Sequence, residues 1–492
     1  MKKINEITQK KFGHYPEKIL QFGEGNFLRA FVDWMADKAN RDGIYEGSIV
    51  LCQPIPQGLK DLINEQNGIY TLVMRGIENE EAVENAEIIT SVSRCINPYE
   101  NYEELMEIAR SPELEVIVSN TTEAGISYAS GILATDTPPA SFPAKVTAFL
   151  YERFKTFNGD KTKGLLFLPV ELIDDNGYEL KKLVVRYAEE WGLEAEFLKW
   201  IDEANEFTST LVDRIVTGYP RNDIDYFEKK LGYKDDIIVT SELFNLWVIE
   251  GDKKWADKFP VHKTDANVIW TDNVNPYKKR KVRILNGAHT STVLAAYLAG
   301  YDTVVEFMAD DVFRDFMQSV IYDEIIPTLD LPPEELKAFA AAVAGRFSNP
   351  FIQHKLLDIA LNSSSKFLAR CLPSILEYLE NFGKLPEKLV FSLAVFIRFY
   401  RGELRDGQLI GFRGSENHEN EYQIRDSKEV LDFFAEIWKC ADMQMIAEKS
   451  LGNTDLWGGK NLNEVPGLTA AVSGYLSRME KESTSEIASS LT

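Results

Sequence analysis

The side chains best suited to chemistry form one run near the middle of the chain, Lys281, Asn286 and His289. Asn286 and His289 are three residues apart, so a helix would place them on one face. Lys281 would lie near the helix start, about one and a half turns earlier, and its long side chain could reach that face. A lysine can act as a general acid or base, an amide can donate to an oxyanion, and a histidine can bind a hydroxyl. The alternative is a solvated basic run before a core helix.

A second motif, FGEGNFLRAF at Phe22 to Phe31, has two glycines where a predicted strand ends and a helix begins. Gly23 and Gly25 would let the backbone approach a pyrophosphate, and the helix N-terminus would offer free N–H groups to it. The third glycine of the usual fingerprint is absent, and Leu28 stands in its place. The motif predicts a dinucleotide site, with a simple glycine turn of an α/β domain as the alternative.

A third motif, SNTTEAGI at Ser119 to Ile126, follows another apolar run. Ligands of doubly wound sheets bind beyond the carboxyl ends of the strands, so these small polar side chains could contact a cofactor. A polar loop without a ligand is the alternative. The second predicted strand ends in Leu51-Cys52-Gln53-Pro54, which has no acidic residue for the ribose hydroxyls. This position therefore leaves the choice between NAD and NADP open.

The segment from Arg346 to Arg370 is rich in basic residues. Lys366 and Arg370 are four residues apart and would form one cationic face of a helix. Such a face could bind an anionic sugar acid, with Arg370 as the first candidate for its carboxylate and Arg346 as the next. Ordinary surface charge is the alternative.

The elements that must position these motifs change in character along the chain. Continuous apolar runs that alternate with helical patterns are typical of strands buried on both faces of a parallel sheet, and they predict a doubly wound α/β domain. From Arg283 onward long helical patterns dominate, and strand patterns almost disappear. The polar tail after Met479 is predicted to be frayed. The runs predicted as strands are Lys18 to Phe22, Ser48 to Cys52, Glu115 to Ser119 and Gly164 to Leu168.

Length and charge restrict the class of protein. A chain of 492 residues is expected to form two or three domains. Its formal charge of -23 disfavours nucleic acid and anionic membranes as partners. Four scattered cysteines and five separated histidines do not indicate disulfides or a metal site. The N-terminus has no signal peptide, and the longest apolar runs are too short to span a bilayer, which predicts a cytoplasmic protein.

Several of these motifs together resemble the mannitol dehydrogenase family, the polyol-specific long-chain dehydrogenases. The spacing of Lys281, Asn286 and His289 fits that family's K-x-x-x-x-N-x-x-H signature, and FGEGNFLRAF is similar to its cofactor loop. The phrases STLVDRIVTGYPR, LWVIEG and RKVRILNGAHTS extend the resemblance, which covers about residues 16 to 480.

The resemblance implies an N-terminal Rossmann-type domain at 16–272, a mainly α-helical C-terminal domain at 273–480, a polar tail at 481–492, and an active site between the two domains. It implies a nicotinamide cofactor, NAD in the first instance, and no catalytic metal. Lys281 would be the general acid/base, Asn286 would donate to the carbonyl oxygen, and His289 would bind a neighbouring hydroxyl. Asp213 and Lys366 would bind substrate hydroxyls. The residues expected to bind the cofactor are Phe22, Gly23, Glu24, Gly25, Asn26, Phe27, Arg29, Ser119, Asn120, Thr121 and Glu123.

Two departures from the family pattern bear on the substrate. Leu172 stands where mannitol dehydrogenases have a second oxyanion asparagine, and Asp358 stands where they have an arginine. Both changes argue against mannitol and fit a hexuronate such as tagaturonate, with its aldonate as the product. Reduction of fructuronate, oxidation of another polyol and a dinucleotide-binding module without catalysis remain as alternatives.

Overall fold

The computed structural model describes residues 1–78, 81–122, 124–413 and 420–492. The chain divides into two compact units, one of residues 1–75 and 83–274 and one of residues 76–82 and 275–492. The division at Val274 and Asn275 lies beside the boundary that the sequence predicts.

Strands are concentrated in the first unit. They are β1 (Glu17–Phe22), β2 (Ser48–Cys52), β3 (Tyr70–Glu78), β4 (Glu81–Ile89), β5 (Val92–Ile96), β6 (Val116–Ser119), β7 (Leu166–Pro169), β8 (Glu206–Phe207), β9 (Ser209–Asp213), β10 (Val216–Gly218), β11 (Val239–Glu242), β12 (Leu246–Glu250), β13 (Val268–Thr271), β14 (Gly402–Arg405), β15 (Gln408–Phe412) and β16 (Glu421–Ile424).

Helices occur throughout and dominate the second unit. The α-helices are α1 (Ile4–Ile7), α2 (Asn26–Arg29), α3 (Val32–Arg41), α4 (Lys60–Glu65), α5 (Tyr102–Ala109), α6 (Phe142–Thr156), α7 (Asn176–Glu190), α8 (Ala195–Ala204), α9 (Ile224–Leu231), α10 (Asn275–Arg280), α11 (Gly287–Ala299), α12 (Val304–Ala309), α13 (Asp311–Ser319), α14 (Pro333–Phe347), α15 (Leu356–Ile359), α16 (Ser363–Arg370), α17 (Leu372–Phe382), α18 (Glu387–Phe399), α19 (Lys428–Ile437), α20 (Met443–Gly452), α21 (Leu468–Arg478) and α22 (Thr484–Ser489). Two π-helical segments, Lys281–Asn286 and Val320–Ile325, and short 3-10 helices at Lys161–Lys163, Lys253–Lys258, Val261–Lys263, Ile326–Thr328 and Leu462–Glu464 complete the set.

The main sheet of the first unit has the strand order β5-β2-β1-β6-β7-β8, and each neighbouring pair is parallel. The order reverses between β1 and β6, and ligands of open α/β sheets bind beyond the carboxyl ends of the strands at such a point. Every residue of β2, β6 and β7 is buried, as the continuous apolar runs predict. The predicted fold class, a Rossmann-type α/β domain with a mainly helical second domain, is confirmed.

Asn176, at the start of α7, joins three segments of the first unit. Its buried amide nitrogen donates to the carbonyl oxygens of Pro169, Glu171 and Thr210 at 3.1 to 3.3 Å. Its amide oxygen accepts from the backbone nitrogens of Gly177 and Thr210, both at 2.9 Å. One side chain therefore fixes the turn after β7 against β9.

The second unit departs from the sequence prediction in two places. β14, β15 and β16 form an antiparallel sheet where few strands were expected. The Asp406-Gly407 pair, with φ of 50° and 78°, makes the tight hairpin turn between β14 and β15. None of the described helices has the length and apolar character needed to cross a membrane.

The predicted frayed tail is wrong, because residues 484–489 form α22. Ser483 and Glu486 make a reciprocal capping box at its start. Ile487 and Ala488 are fully buried, and the Thr484 hydroxyl donates to the Ala295 carbonyl oxygen at 2.8 Å. Two apolar residues and a cap are enough to fold a short segment whose composition is otherwise polar.

Asn176→Ala should destabilise the protein, because it leaves buried backbone groups of three segments without partners. Each unsatisfied buried group costs about 1–3 kcal/mol, so we expect a loss of at least about 2 kcal/mol in the free energy of unfolding, measured by urea denaturation. Asn101→Ala is the matched control, since Asn101 is exposed and bonds only to Glu104 through its side chain. Equal stability of the two variants would contradict this role of Asn176.

Candidate functional site

Gly23 is required by the fold itself. Its φ is +125°, a conformation that side chains with a Cβ rarely adopt. A Cβ there would lie 3.0 Å from Leu28 Cδ1 and 3.2 Å from the Asn120 carbonyl oxygen. Gly23 therefore allows the loops after β1 and β6 to approach each other at the point where the strand order reverses.

Gly25 is different, because nothing in its own surroundings requires glycine. Its φ of -69° and ψ of 170° are accessible to any residue, and a Cβ would meet no atom within 4 Å. The residue is exposed and precedes the first turn of α2. The space beside Gly25 is therefore open to a group outside the chain, which fits the pyrophosphate of a dinucleotide.

The helix after the glycines is interrupted, which changes the roles of several predicted cofactor residues. The helix predicted to begin after the two glycines is in fact two helices, α2 and α3, with a break at Phe31, whose φ and ψ are -128° and -75°. Arg29 is only 2% exposed and donates to the backbone carbonyl oxygens of Glu24 and Ile237. Arg29 thus holds the loop together instead of facing a cofactor.

The other residues of the loop differ in how far their side chains are exposed to solvent. Phe22 is in the core, edge-on to Phe142, so only its backbone could reach a ligand. Glu24 is also buried, and its carboxylate accepts from the Leu59 nitrogen at 3.4 Å. Asn26 is exposed, and Phe27 is half-buried.

Glu171 organises the loop after β6, although the sequence analysis assigned it no role. Its two carboxylate oxygens accept from the Ser119 hydroxyl and from both the nitrogen and the hydroxyl of Thr121, at 2.9 to 3.1 Å. Burial raises the pKa of the Glu171 carboxyl. Ser119 is buried in this contact, while Asn120 and Thr121 stay half-buried. Glu123 lies outside the described residues.

The run from Lys281 to His289 lies inside one continuous helical path formed by α10, the π-helical segment Lys281–Asn286 and α11. Lys281 is therefore not near a helix start, as its spacing suggested. In an α-helix residues five apart point about 140° away from each other. In a π-helix, hydrogen bonds link residues five apart, so Lys281 and Asn286 follow each other on one face. His289, three residues further in α11, continues that face.

The basic residues around Lys281 have acidic partners. Lys279 lies 3.2 Å from an Asp330 carboxylate oxygen, and Arg280 lies 2.6 Å from Glu335. Arg283 donates to Glu377 at 2.9 Å. These three cations are thus neutralised within the second unit, and the run is not a solvated basic face.

His289 is the centre of a cationic cluster. Its ring stacks on Phe347 at 3.9 Å between centroids and lies edge-on to His354 at 5.7 Å. Its Nε2 atom is buried and has no hydrogen-bond partner within the described ranges. Burial, followed by the nearby charges of His354, Arg370, Arg346 and Lys366, holds the pKa of His289 well below its usual value. The imidazole is therefore neutral near pH 7.

The structure brings the predicted cations of the second unit to this histidine. Arg370, at the end of α16, donates from Nη1 to the Thr290 hydroxyl at 3.4 Å. Lys366, one turn earlier, donates to the Ile359 carbonyl oxygen at 2.7 Å. Arg346 is in the last turn of α14, next to Phe347. Burial lowers the pKa of both Arg370 and Lys366, as expected for cations held partly away from water.

Asp213 and Leu172 belong to the first unit, and Asp358 belongs to the second. Leu172 and Asp358 are the two positions that differ from the family pattern. Asp213 ends β9 of the first unit, where it is buried and opposite Leu246. Leu172 is exposed in the same unit. Asp358 of the second unit forms an ion pair with Arg425 at 3.0 Å.

Two residues beside His289, His354 and Phe347, were not predicted from the sequence. His354 is one of only five histidines and lies within the basic segment, which could have singled it out. Phe347 carried no signal, because stacking depends on the tertiary approach of α14. Within the described part of the chain, no three His, Cys, Asp or Glu side chains converge as metal ligands.

Comparisons with known proteins agree with this organisation. Family models match residues 17–263 as the mannitol dehydrogenase Rossmann domain and residues 273–478 as the mannitol dehydrogenase C-terminal domain. The chain is 46% identical over 468 residues to altronate oxidoreductases of Shigella flexneri and of Escherichia coli O7:K1, with 94% of each protein covered.

Two solved structures share the fold. A substrate-free D-sorbitol dehydrogenase matches 96% of this chain and 95% of its own, with a TM-score of 0.77 and 18% identity. Mannitol 2-dehydrogenase of Pseudomonas fluorescens, solved with NAD and D-mannitol, matches 98% and 95%, with a TM-score of 0.62 and 20% identity. The resemblance found in the motifs is thus confirmed, and the chain belongs to the mannitol dehydrogenase family of oxidoreductases.

Proposed function

We propose that the protein is an NAD-dependent oxidoreductase that reduces the keto group of D-tagaturonate to the hydroxyl of D-altronate, reversibly. The observation that carries the proposal is the shared face of Lys281, Asn286 and His289, produced by the π-helical segment. The altronate oxidoreductases that are 46% identical to the chain support the choice of substrate. The hexuronate and its aldonate are the only partners that this function needs.

Each residue of the run has a separate task in the proposed reduction. The Lys281 ammonium donates a proton to the carbonyl oxygen as that oxygen gains negative charge. The Asn286 amide donates a hydrogen bond to the same oxygen. The neutral His289 offers its unpartnered Nε2 to a neighbouring hydroxyl, as donor or acceptor according to its tautomer. In the oxidation of altronate the proton returns to the lysine amine.

NAD, when bound, accepts or supplies the hydride. The residues suited to hold it are Gly25 and Asn26 after β1, with Asn120 and Thr121 after β6. The open space at Gly25 fits a dinucleotide. NAD is preferred to NADP because mannitol 2-dehydrogenase, which has the same fold, was solved with NAD.

The carboxylate of a hexuronate requires a local cation in a chain of net charge -23. Arg370 is the first choice because a guanidinium can hold a carboxylate through two parallel hydrogen bonds. Arg370 is one of the charges that lower the pKa of His289, so its guanidinium lies near the proposed hydroxyl contact, which supports this choice. Lys366 and Asp213 are the proposed hydroxyl contacts, and Arg346 is the next candidate for the carboxylate.

One experiment distinguishes the proposed reduction of tagaturonate from related activities and from a binding module without catalysis. NADH oxidation measured side by side with tagaturonate, fructuronate and fructose should be fastest with tagaturonate. A preference for fructuronate would replace the substrate, and NADH binding without consumption of any keto sugar would contradict the enzymatic function. The cytoplasmic location stays a prediction.

Lys281→Ala should abolish turnover and leave the affinity for NADH near wild type, because the lysine acts on a substrate oxygen. General acid/base catalysis contributes about 10²–10⁴ in rate, and the loss should be of that size. Lys279→Ala is the matched control, since Lys279 is a neighbouring lysine held by Asp330. A rate above about a tenth of wild type for Lys281→Ala would remove this residue from the proton-transfer role.

Gly25→Val should weaken NADH binding strongly without harming the fold, because its Cβ has free space in the chain but would occupy the place of the pyrophosphate. Fluorescence titration with NADH measures the effect, and circular dichroism checks the fold. Gly474→Val is the control, since a Cβ at Gly474 in α21 also meets nothing within 4 Å. An unchanged NADH affinity in folded Gly25→Val would make this loop a simple turn.

Arg370→Ala should raise the Michaelis constant for tagaturonate much more than that for a neutral ketose. A charge-assisted hydrogen bond contributes about 1.5–3 kcal/mol, which corresponds to a loss of about ten- to a hundredfold. Arg370→Lys should recover part of the loss, because it keeps the charge but not the paired bonds. Equal losses for acidic and neutral substrates would make Arg370 structural and move the carboxylate contact to Arg346.

A further inference from the structure

The second unit contains a cavity of about 360 Å³ at the C-terminal end of α11. Leu298, which lines it, is nine residues beyond His289 in the same helix, or about 14 Å along the axis. The cavity is therefore distinct from the run that contains Lys281. Its volume lies at the lower end of the range for small-molecule sites. Three arginines line it, Arg398, Arg401 and Arg413.

Arg398 is a buried cation that forms no ion pair within the described part of the chain, although Glu480 acts on it electrostatically. It lies in the last turn of α18 and is only 8% exposed. Its Nη1 atom is buried, and the side chain makes no hydrogen bond or ion pair with any part of the chain that the structure describes. Burial lowers its pKa. A buried guanidinium without a partner destabilises the fold, and the helix dipole of α18 offsets only part of that cost.

The other two arginines, Arg401 and Arg413, form ion pairs, but these pairs do not use all of their N–H donors. Arg401 lies 2.6 Å from a Glu480 carboxylate oxygen. Arg413 is paired with Asp302 and stacks on the Tyr297 ring at 3.7 Å. The Nε atom of Arg413 is nevertheless buried, with no hydrogen-bond partner among the described residues. Two of the guanidinium groups that line the cavity thus each have a nitrogen atom without a hydrogen-bond partner among the described residues.

Among the described residues, the two carboxylates that line the cavity do not supply the missing partner. Glu480 already pairs with Arg401, and Glu482 is held by Arg478 through two hydrogen bonds of 2.7 and 3.0 Å. A guanidinium binds phosphate and carboxylate groups alike, through parallel hydrogen bonds. We propose that this cavity is a binding site for the oxyanion group of a small metabolite, phosphate or carboxylate, held by Arg398 and Arg413 with Arg401 beside them.

The test is calorimetric titration of the full-length protein with inorganic phosphate and, separately, with acetate, in chloride buffer of matched ionic strength. Arg398→Met keeps an unbranched side chain and removes the charge, and Arg314→Met is the control, since Arg314 is a surface arginine of α13 paired with Asp311. One of the two anions should bind wild type and Arg314→Met equally, and Arg398→Met about ten- to a hundredfold more weakly. The tighter anion identifies the phosphate or the carboxylate class.

Thermal unfolding gives a second and independent measurement. In chloride alone, Arg398→Met should unfold at a higher temperature than wild type, because it removes an uncompensated buried charge. The binding anion should raise the unfolding temperature of wild type but not that of Arg398→Met. If Arg398→Met does not fold, Arg413→Gln replaces it in the titrations and in the test of stabilisation by the anion, but not in the comparison of unfolding temperatures in chloride, because Arg413 is paired with Asp302. Equal responses of all variants, or no binding of either anion to wild type, would overturn the proposal, and neither outcome depends on turnover of a sugar acid.

Discussion

The candidate site depends on a single change of hydrogen-bonding register within the helical path from Asn275 to Ala299. In a regular α-helix, Lys281 would point about 140° away from Asn286, and only the length of its side chain could bring it towards the same carbonyl oxygen. The π-helical segment Lys281–Asn286 removes this difference over the five residues that separate them. Such segments are rare and often lie at functional sites, although the second one in this chain, Val320–Ile325, carries none of the proposed catalytic residues.

The second constraint is electrostatic, because a strongly acidic chain must keep some cations available for the anionic substrate proposed above. Near Lys281 in the chain, Lys279, Arg280 and Arg283 form ion pairs with carboxylates. Around His289, in contrast, Arg346, Lys366 and Arg370 share one environment and keep the imidazole neutral. The unit thus neutralises the cations that serve the fold and concentrates cations where a sugar acid would bind. A neutral histidine suits that place, since a charged one would add repulsion to a cluster that is already positive.

The sequence was sufficient to predict features that depend on local pattern. The parallel sheet follows from apolar runs such as Ser48 to Cys52, whereas the roles of Lys281, Asn286 and His289 stay a prediction. The sequence was insufficient for features that are determined by contacts between residues far apart in the chain. The burial of Arg29 involves a contact with Ile237, about two hundred residues away. The fold of residues 484–489 depends on two buried apolar side chains, which a mostly polar composition conceals. The hairpin at Asp406-Gly407 had a recognisable turn signal that the helical patterns around it obscured.

The two glycines of the first loop show how a structural requirement can be distinguished from a functional one. Gly23 has a left-handed φ and a close neighbour on each side, so the fold alone explains its identity. Gly25 has an ordinary backbone conformation and empty space, and a residue with a capping side chain, such as serine or aspartate, would stabilise the start of α2 better than glycine does. A glycine that is neither required nor favoured by its own chain points to a ligand that needs the room. The same reasoning applies to Arg398, whose charge the fold leaves without a partner, and in both cases the missing neighbour is inferred from what the protein alone does not explain.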